Sequence, residues 1–391
     1  MARHTDILIV GGGMVGTVQA LALAQQTQLS ITLLESDPVT EFTVNQPTEL
    51  RVSALNSASR ALLSKLGVWQ QLHTNRIGHF DTMTIFDQHA SLQFDAAETG
   101  QTALGYIVEN CHLQWAATEL ISQFSHIQVL SPATVTALSG QTVTLSDKQS
   151  LSAKLIIGAD GQHSAIRQWA GIHRQTLRYQ QHGLVAIIHS EKPHLNCARQ
   201  RFVDGGPVAF LPLADPHQSA IVWSLPVATC QELSTCSPAA FIQRLHEIAN
   251  MDLGELQLLS ARAAFPLQSH HADHYVKPGI ALIGDAAHGV HPLAGQGVNL
   301  GFQDVAALTK VVSEATHRQR HFADVNVLRR YQRARRAENL VMQHSLTGLH
   351  HVFGFRPPLF NQLRASGLHL LNQCPPIKNW LVKQAAGKLD R

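Results

Sequence analysis

Long hydrophobic runs are missing from this chain. No stretch approaches the roughly 18 consecutive apolar residues that read as a membrane span, so the expectation is a protein that is not integral to a membrane. The first residues, Met1-Ala2-Arg3-His4-Thr5-Asp6, lack the apolar stretch of a signal peptide, and the expected location is therefore cytoplasmic. Cysteine is scarce. Cys111, Cys197, Cys230, Cys236 and Cys374 are odd in number and show no Cys-x-x-Cys spacing. That pattern argues against a disulfide frame or a thiolate zinc site and predicts reduced thiols. Charge is also sparse. Charged residues make up 15% of the chain and the formal net charge is +3, too mild for nucleic-acid binding driven by bulk charge. Internal repeats and low-complexity tracts are absent. What is present is a large apolar fraction, 45% of 391 residues, which suits two or three globular units.

The order of the elements shows how those units are arranged. Asp6 to Val10 is a nearly continuous apolar run of the kind found in parallel strands buried on both faces. Met14 to Gln25, rich in Ala and Leu, reads as a helix, and Ser30 to Glu35 as a second strand, which gives a βαβ unit. Asn56 to Leu66 and Leu113 to Gln123 read as helices, and Met83 to Phe94 as strand. Leu155 to Gly158 and Ile280 to Gly284 are further short buried-strand runs. Between them, Leu184 to Ser224 alternates in the manner of antiparallel strands. From about Asp324 the pattern is helical, broken at Pro357-Pro358 and Pro375-Pro376. Buried-strand runs scattered through the chain, with a sheet of different character between them, predict interleaved domains.

Gly11-Gly12-Gly13-Met14-Val15-Gly16 satisfies G-x-G-x-x-G. The match alone is weak, but it follows a buried strand and opens a helix. Glu35 ends the next strand near the expected spacing of about 20 residues. Gly11 permits a tight turn, Gly13 lets the backbone approach a pyrophosphate, and Gly16 allows close helix–strand packing. The helix N-terminus offers N–H groups to phosphate, and Glu35 suits a ribose diol.

Two later motifs add a flavin-like character. Ile280 to Gly284 ends in Gly284-Asp285 and leads through Pro292 to Gly295-Gln296-Gly297-Val298-Asn299 and a helix. A strand-end aspartate can hold a polyol, and the Gly-Gln-Gly backbone can present N–H groups to an anionic ring edge. A ribityl chain and a reduced flavin have those two chemistries. The third motif is Leu155-Ile156-Ile157-Gly158-Ala159-Asp160-Gly161, continuing through Ser164 to Arg167. Together the three resemble the single-component FAD-dependent aromatic hydroxylases. Arg51 to Asn56, Leu66 to Trp69, Gly105 to Asn110, Ala209 to Leu213 and Gly284 to Asn299 are similar to the ubiquinone-biosynthesis hydroxylases within that family. Ala198 to Leu225 is most similar to the branch that adds the first hydroxyl, at ring carbon 5 of a polyprenylated phenol. Sister enzymes that act on later intermediates share most of these motifs. The likeness spans residues 1 to about 310 and fades in the tail.

This resemblance implies an α/β fold in which a Rossmann-like FAD-binding domain (1–76, 101–175 and 265–320) interleaves with an antiparallel-sheet substrate domain (77–100 and 176–264). A C-terminal helical region (321–391) follows. The resemblance implies bound FAD, NAD(P)H as reductant and O2 as co-substrate. Arg51 would contact the FAD pyrophosphate. Gln114 would lie near the flavin, and Asp160 near FAD and the reductant. Asp285 would hold the ribityl chain, while Pro292 and Gly295 to Asn299 would line the isoalloxazine. One departure is visible: the family commonly has Ala-Asn after Asp-Gly, and this chain has Gln162-His163. No side chain stands out as a base for the phenol. A reductase of lipid double bonds sharing this fold, and a flavin-binding scaffold within a biosynthetic assembly, are the competing expectations.

Two features stand apart. The 24 histidines include His288 with His291 and a group at His270, His271 and His274. Neither group is completed into a metal shell by nearby Cys or paired carboxylates, so no metal is expected. Arg329, Arg330, Arg333, Arg335 and Arg336 form a basic helix face. It reads as a solvated face or as a contact to anionic lipid at the inner face of the cytoplasmic membrane, or to a partner protein. A lipid-tailed substrate raises the standing of that contact.

Overall fold

The computed structural model describes residues 3–87, 90–249, 251–291, 295–354 and 357–387. Its first sheet is built from the scattered buried-strand runs. β1 (Arg3–Val10), β2 (Ile31–Leu34), β8 (Ile127–Leu130), β11 (Ser150–Gly158) and β19 (Ile280–Leu282) lie parallel in the order β19-β11-β1-β2-β8. β18 (Val276–Lys277) pairs antiparallel at one edge. The hairpin β9 (Val135–Ser139) and β10 (Thr142–Leu145) joins at β11. The carboxyl-terminal halves of the central strands β1 and β11 are continuous apolar runs because they are buried on both faces. Ile7, Leu8, Ile9, Leu155, Ile156 and Ile157 are all fully buried.

The register decides where the motifs go. Val10 pairs with Leu34 on one side and with Gly158 on the other, and Gly158 pairs with Leu282. The residues that follow, Gly11, Glu35, Asp160 and Gly284-Asp285, therefore leave the sheet side by side at the carboxyl ends of neighbouring parallel strands. That is where open α/β sheets bind their ligands.

A small sheet of β3 (Val52–Leu55), β4 (Gly78–Phe80) and β7 (Gly105–Glu109) joins this layer to a large antiparallel one. The large sheet runs β20-β17-β12-β15-β14-β13-β5-β6 and uses β5 (Thr82–Phe86), β6 (Ser91–Asp95), β12 (Arg174–Ser190), β13 (Cys197–Val203), β14 (Gly206–Pro212), β15 (Gln218–Pro226), β17 (Ala263–Ala272) and β20 (His288–Gly289). β16 (Leu256–Leu258) pairs beside β12. Along β12 the side chains alternate. Leu184, Ala186 and Ile188 pack under α6 (Val227–Thr235) and α7 (Pro238–Ala249), while Ile187 faces the other way, toward the small sheet.

The remaining helices are α1 (Met14–Gln26), α2 (Ser57–Lys65), α3 (Val68–Gln71), α4 (Asn110–Ile121), α5 (Ala165–Trp169), α8 (Gly297–His317), α9 (Val325–Gly354), α10 (Pro358–Asn372) and α11 (Pro375–Ala385). α10 is latched to the turn after β5 by a buried bidentate pair, Arg364 to Asp87 at 2.7 and 3.1 Å. The end of α11 returns to α2, where Ala385 and Ala386 carbonyls accept from Asn56 Nδ2 and Ala58 N–H. Among the described residues no helix is long and apolar enough to cross a membrane.

The basic face needs correcting. Arg329, Arg330 and Arg333 are exposed, and Arg330 pairs with Glu314 at 2.7 Å. Arg335 is only 4% exposed. Leu328, Tyr331, Arg335 and Asn339 are buried at helical spacing in the first half of α9, so Arg335 shares the core-facing stripe rather than the solvated one. Its guanidinium meets the buried Asp304 carboxylate of α8 at 2.9 Å. Arg336 is half-buried beside it.

Candidate active site

At the first loop, Gly11 adopts φ +103° and a Cβ there would lie 2.4 Å from the Ala159 carbonyl oxygen. A Cβ on Gly16 would lie 1.9 Å from the Gly11 carbonyl oxygen. Both glycines are therefore required for the loop to close. Gly13 differs: its φ is −64° and an added Cβ would meet no protein atom within 4 Å. The space beside Gly13 is open, immediately before α1. No side chain caps that helix and no acid occupies its first turn, so its N–H groups face outward for an anion. Met14 and Val15 are half-buried behind the loop.

Two side chains hold the loop from outside it. Glu35 Oε2 accepts from Gly12 N–H at 2.6 Å, and Oε1 from Asp37 N–H at 3.1 Å. Gln114, on α4, donates to the Gly12 carbonyl at 2.7 Å. The structure thus puts Gln114 against the loop of the first motif.

The second and third motifs meet the first. Val15 packs on Gly284 and Gly301, where an added Cβ would stand 3.3 and 2.7 Å from its methyls. Asp160 Oδ2 accepts from Ile166 N–H at 3.1 Å, while the buried Oδ1 has no partner. Arg167, fully buried, reaches from α5 to the Ala286 carbonyl at 2.9 Å and to Gln162 O at 3.0 Å. Gln162 uses its side chain to fasten the loop, accepting from Gln268 on β17 at 2.8 Å. The departure from the family pattern thus has a local structural use.

Asp285 follows Gly284 just past the end of β19, exposed to solvent on one side and with protein packed around its carboxylate. That crowding raises its carboxyl above the ordinary range. The charges of His288 and Arg51 oppose the rise. The exposed Arg51, just before β3, and Asp285 are thus brought into electrostatic reach of each other.

Gly295, at φ +60°, places its Cα side against Ala54, which an added Cβ would approach to 3.0 Å. Gln296 precedes α8 without capping it, and a Cβ on Gly297 would enter open space. Val298 is half-buried against the main core. Asn299 is fully committed to the protein. Its Oδ1 accepts from Asn56 N–H at 3.0 Å and Ser59 Oγ at 2.7 Å, and its Nδ2 donates to Ala54 O at 2.8 Å and Gly295 O at 3.2 Å. It can fix the loop but has no free group for a ring. Pro292 lies outside the described residues.

These positions fit FAD. The open space at Gly13, two uncapped helix N-termini and an exposed carboxylate at a strand end match a pyrophosphate, a ring edge and a polyol. The family model for the FAD binding domain matches residues 4–344. The chain is 36% identical over 390 residues to the 3-demethoxyubiquinol 3-hydroxylase of Escherichia coli, covering 98% of this chain and 99% of that one. The chain belongs to the FAD-binding monooxygenases of the ubiquinone-hydroxylase type. It is also 32% identical to the ubiquinone biosynthesis monooxygenase COQ6 of Danio rerio, over 97% of this chain and 89% of that one. The ubiquinone hydroxylase UbiL of Rhodospirillum rubrum is 32% identical, with 99% and 90% covered. Among solved structures, p-nitrophenol 4-monooxygenase from Pseudomonas putida superposes with a TM-score of 0.81 at 16% identity, covering 100% of both chains. The protein is an FAD-dependent monooxygenase.

Sequence reasoning missed Asp304, the acid beneath this monooxygenase site, and weighed the histidines around it only as metal ligands. Burial alone would push the Asp304 carboxyl up, but His288 and Arg335 more than offset it and hold it below the usual range. His270 donates from Nε2 to the Asp285 carbonyl at 2.8 Å. Burial lowers His270 and His271 to about 4 and His291 to about 3, so these imidazoles are neutral near pH 7. Among the described residues no three His, Cys, Asp or Glu side chains could hold a metal ion. The signal for Asp304 was an acid set among Leu300, Phe302, Val305 and Leu308, all apolar and buried on α8.

Proposed function

We propose that this monooxygenase hydroxylates the aromatic ring of a polyprenylated phenol in ubiquinone synthesis, at carbon 5. The observation that carries an aromatic substrate is the contact of Gly295 with Ala54. Ala54 also belongs to an apolar cluster with Ile107, Ile187, Leu211 and Leu213, which joins the small sheet to the large one. An apolar wall therefore begins where the second glycine loop ends.

When bound, FAD would supply the redox chemistry between NAD(P)H, O2 and the ring, one oxygen atom going to the ring and the other leaving as water. The chain's own residues do the rest. Arg51 and the α1 N-terminus would hold the pyrophosphate, Glu35 the ribose and Asp285 the ribityl chain. The α8 N-terminus at Gly297 would offer its N–H groups to the anionic ring edge. Asn299 keeps that loop in place, and the apolar cluster keeps water from the oxygen transfer. No side chain is assigned as a base. The electron-rich phenol and its placement against the ring suffice.

The relatives named above support the pathway. The Escherichia coli relative favours a second reading, attack on a demethoxyubiquinol. Mass spectrometry of the quinone precursor in a deletion strain separates the two. Accumulation of the polyprenylphenol supports carbon 5, and accumulation of the demethoxy compound supports the later position.

A long prenyl tail has to be collected from a bilayer or a lipid-carrying protein. The exposed Arg329, Arg330 and Arg333 face solvent on the helix that also exposes Leu349 and Val352, and they suit peripheral contact with anionic lipid. Each such arginine near the surface contributes about 1 kcal/mol. Changing all three to Gln is expected to cut turnover of a long-tailed phenol in anionic vesicles by roughly tenfold or more. FAD content and NAD(P)H oxidation with a short-tailed phenol should stay unchanged. Equal loss on both substrates would count against delivery from the membrane.

A further inference from the structure

A fully buried carboxylate sits under the Gly284–Asp285 turn. Asp304 has no exposed surface. Its Oδ2 accepts from Gly284 N–H at 3.0 Å and from His288 Nε2 at 2.5 Å. Its Oδ1 accepts from Arg335 Nε at 2.9 Å and Asn339 Nδ2 at 3.4 Å. Arg335 is held in turn by Glu338 Oε2 and Asn339 Oδ1, both at 2.6 Å. Replacing a buried ion pair by apolar groups is often neutral or stabilising, so stability alone is a weak reason for this one.

Its geometry supplies a better reason. Three consecutive residues of the turn are gripped by their backbones from three different elements. Asp304 of α8 takes the Gly284 N–H, His270 of β17 the Asp285 carbonyl, and Arg167 of α5 the Ala286 carbonyl. Gly284 stands at φ +57°, a conformation that needs glycine, and Val15 closes over it. The Asp285 carboxylate, by contrast, has no hydrogen-bond anchor of its own among the described residues. Its position is set by the backbone beneath it.

We propose that Asp304, locked between His288 and Arg335, is a positioning residue that aims the Asp285 carboxylate at the ribityl chain, so that helix α9 sets how tightly FAD is held. This rests on the ribityl role of Asp285 given above. Arg335 belongs to the tail that the sequence motifs do not cover, and it ties that tail to the flavin turn.

The test is a double-mutant cycle on apoprotein titrated with FAD. Dissociation constants come from quenching of flavin fluorescence, and the melting temperature of each apoprotein is measured beside them. Asp304→Asn should weaken FAD about tenfold in the wild-type background and by less than about twofold in Asp285→Ala, because the lost effect runs through Asp285. Should Asp304→Asn not fold, the paired Asp304→Leu/Arg335→Met, which removes both charges together, serves in the same cycle. Additive losses would overturn the positioning role and leave the ribityl reading standing. So would unchanged FAD affinity with a lowered melting temperature. If Asp285→Ala itself costs no affinity, the ribityl reading fails, and the positioning role falls with it.

Discussion

Gly13→Val is expected to abolish FAD binding and leave the apoprotein folded. Most glycines of the first motif cannot make this distinction. A side chain at Gly11 or Gly16 would strike backbone at 2.4 or 1.9 Å and disrupt the loop itself. Gly13 already has an ordinary extended backbone, and no protein atom lies within 4 Å of where its Cβ would be. The valine methyls would enter the open space in front of α1 instead, where the pyrophosphate has to approach the N–H groups. Losing that approach removes several charge-assisted hydrogen bonds of about 1.5–3 kcal/mol each, enough for a loss of at least a thousandfold. The purified variant should be colourless, with a circular dichroism spectrum and apoprotein melting temperature close to wild type. A yellow Gly13→Val protein with normal flavin absorbance would remove this loop from the cofactor site.

Asp285→Ala should weaken FAD roughly tenfold to a hundredfold, the worth of a charge-assisted hydrogen bond to a ribityl hydroxyl. The fold should be spared, because the turn is held through its backbone by Asp304, His270 and Arg167 rather than through the Asp285 side chain. The apoprotein should therefore melt close to wild type. A fluorescence titration showing full affinity would take Asp285 out of the site.

These two residues were legible because their signals are local. A buried strand, a glycine turn and a helix follow one another within a few residues at Gly11, a buried strand runs straight into Gly284-Asp285, and β1, α1 and β2 fall where the apolar pattern put them. Strand register was not legible. That Val10, Leu34, Gly158 and Leu282 end level with one another is a property of pairings between distant segments. The small sheet escaped notice for the same reason. Its strands, such as Gly78–Phe80, are too short to show a period. Arg335 was misplaced because five arginines in eight residues look like one charged face. Its partner Asp304 lies on another helix, and only the burial of Leu328 and Tyr331 on the same stripe reveals which arginine turns inward.

The central claim is ring hydroxylation by oxygen from O2. The direct test supplies the FAD-loaded protein with NAD(P)H, a prenylated phenol and 18O2, and weighs the product by mass spectrometry. One labelled oxygen in a new ring hydroxyl, with O2 consumed in step with nicotinamide oxidation, is the result expected. Nicotinamide oxidised without O2 uptake, with two hydrogens added across a double bond of the tail, would contradict it and identify a reductase on the same fold.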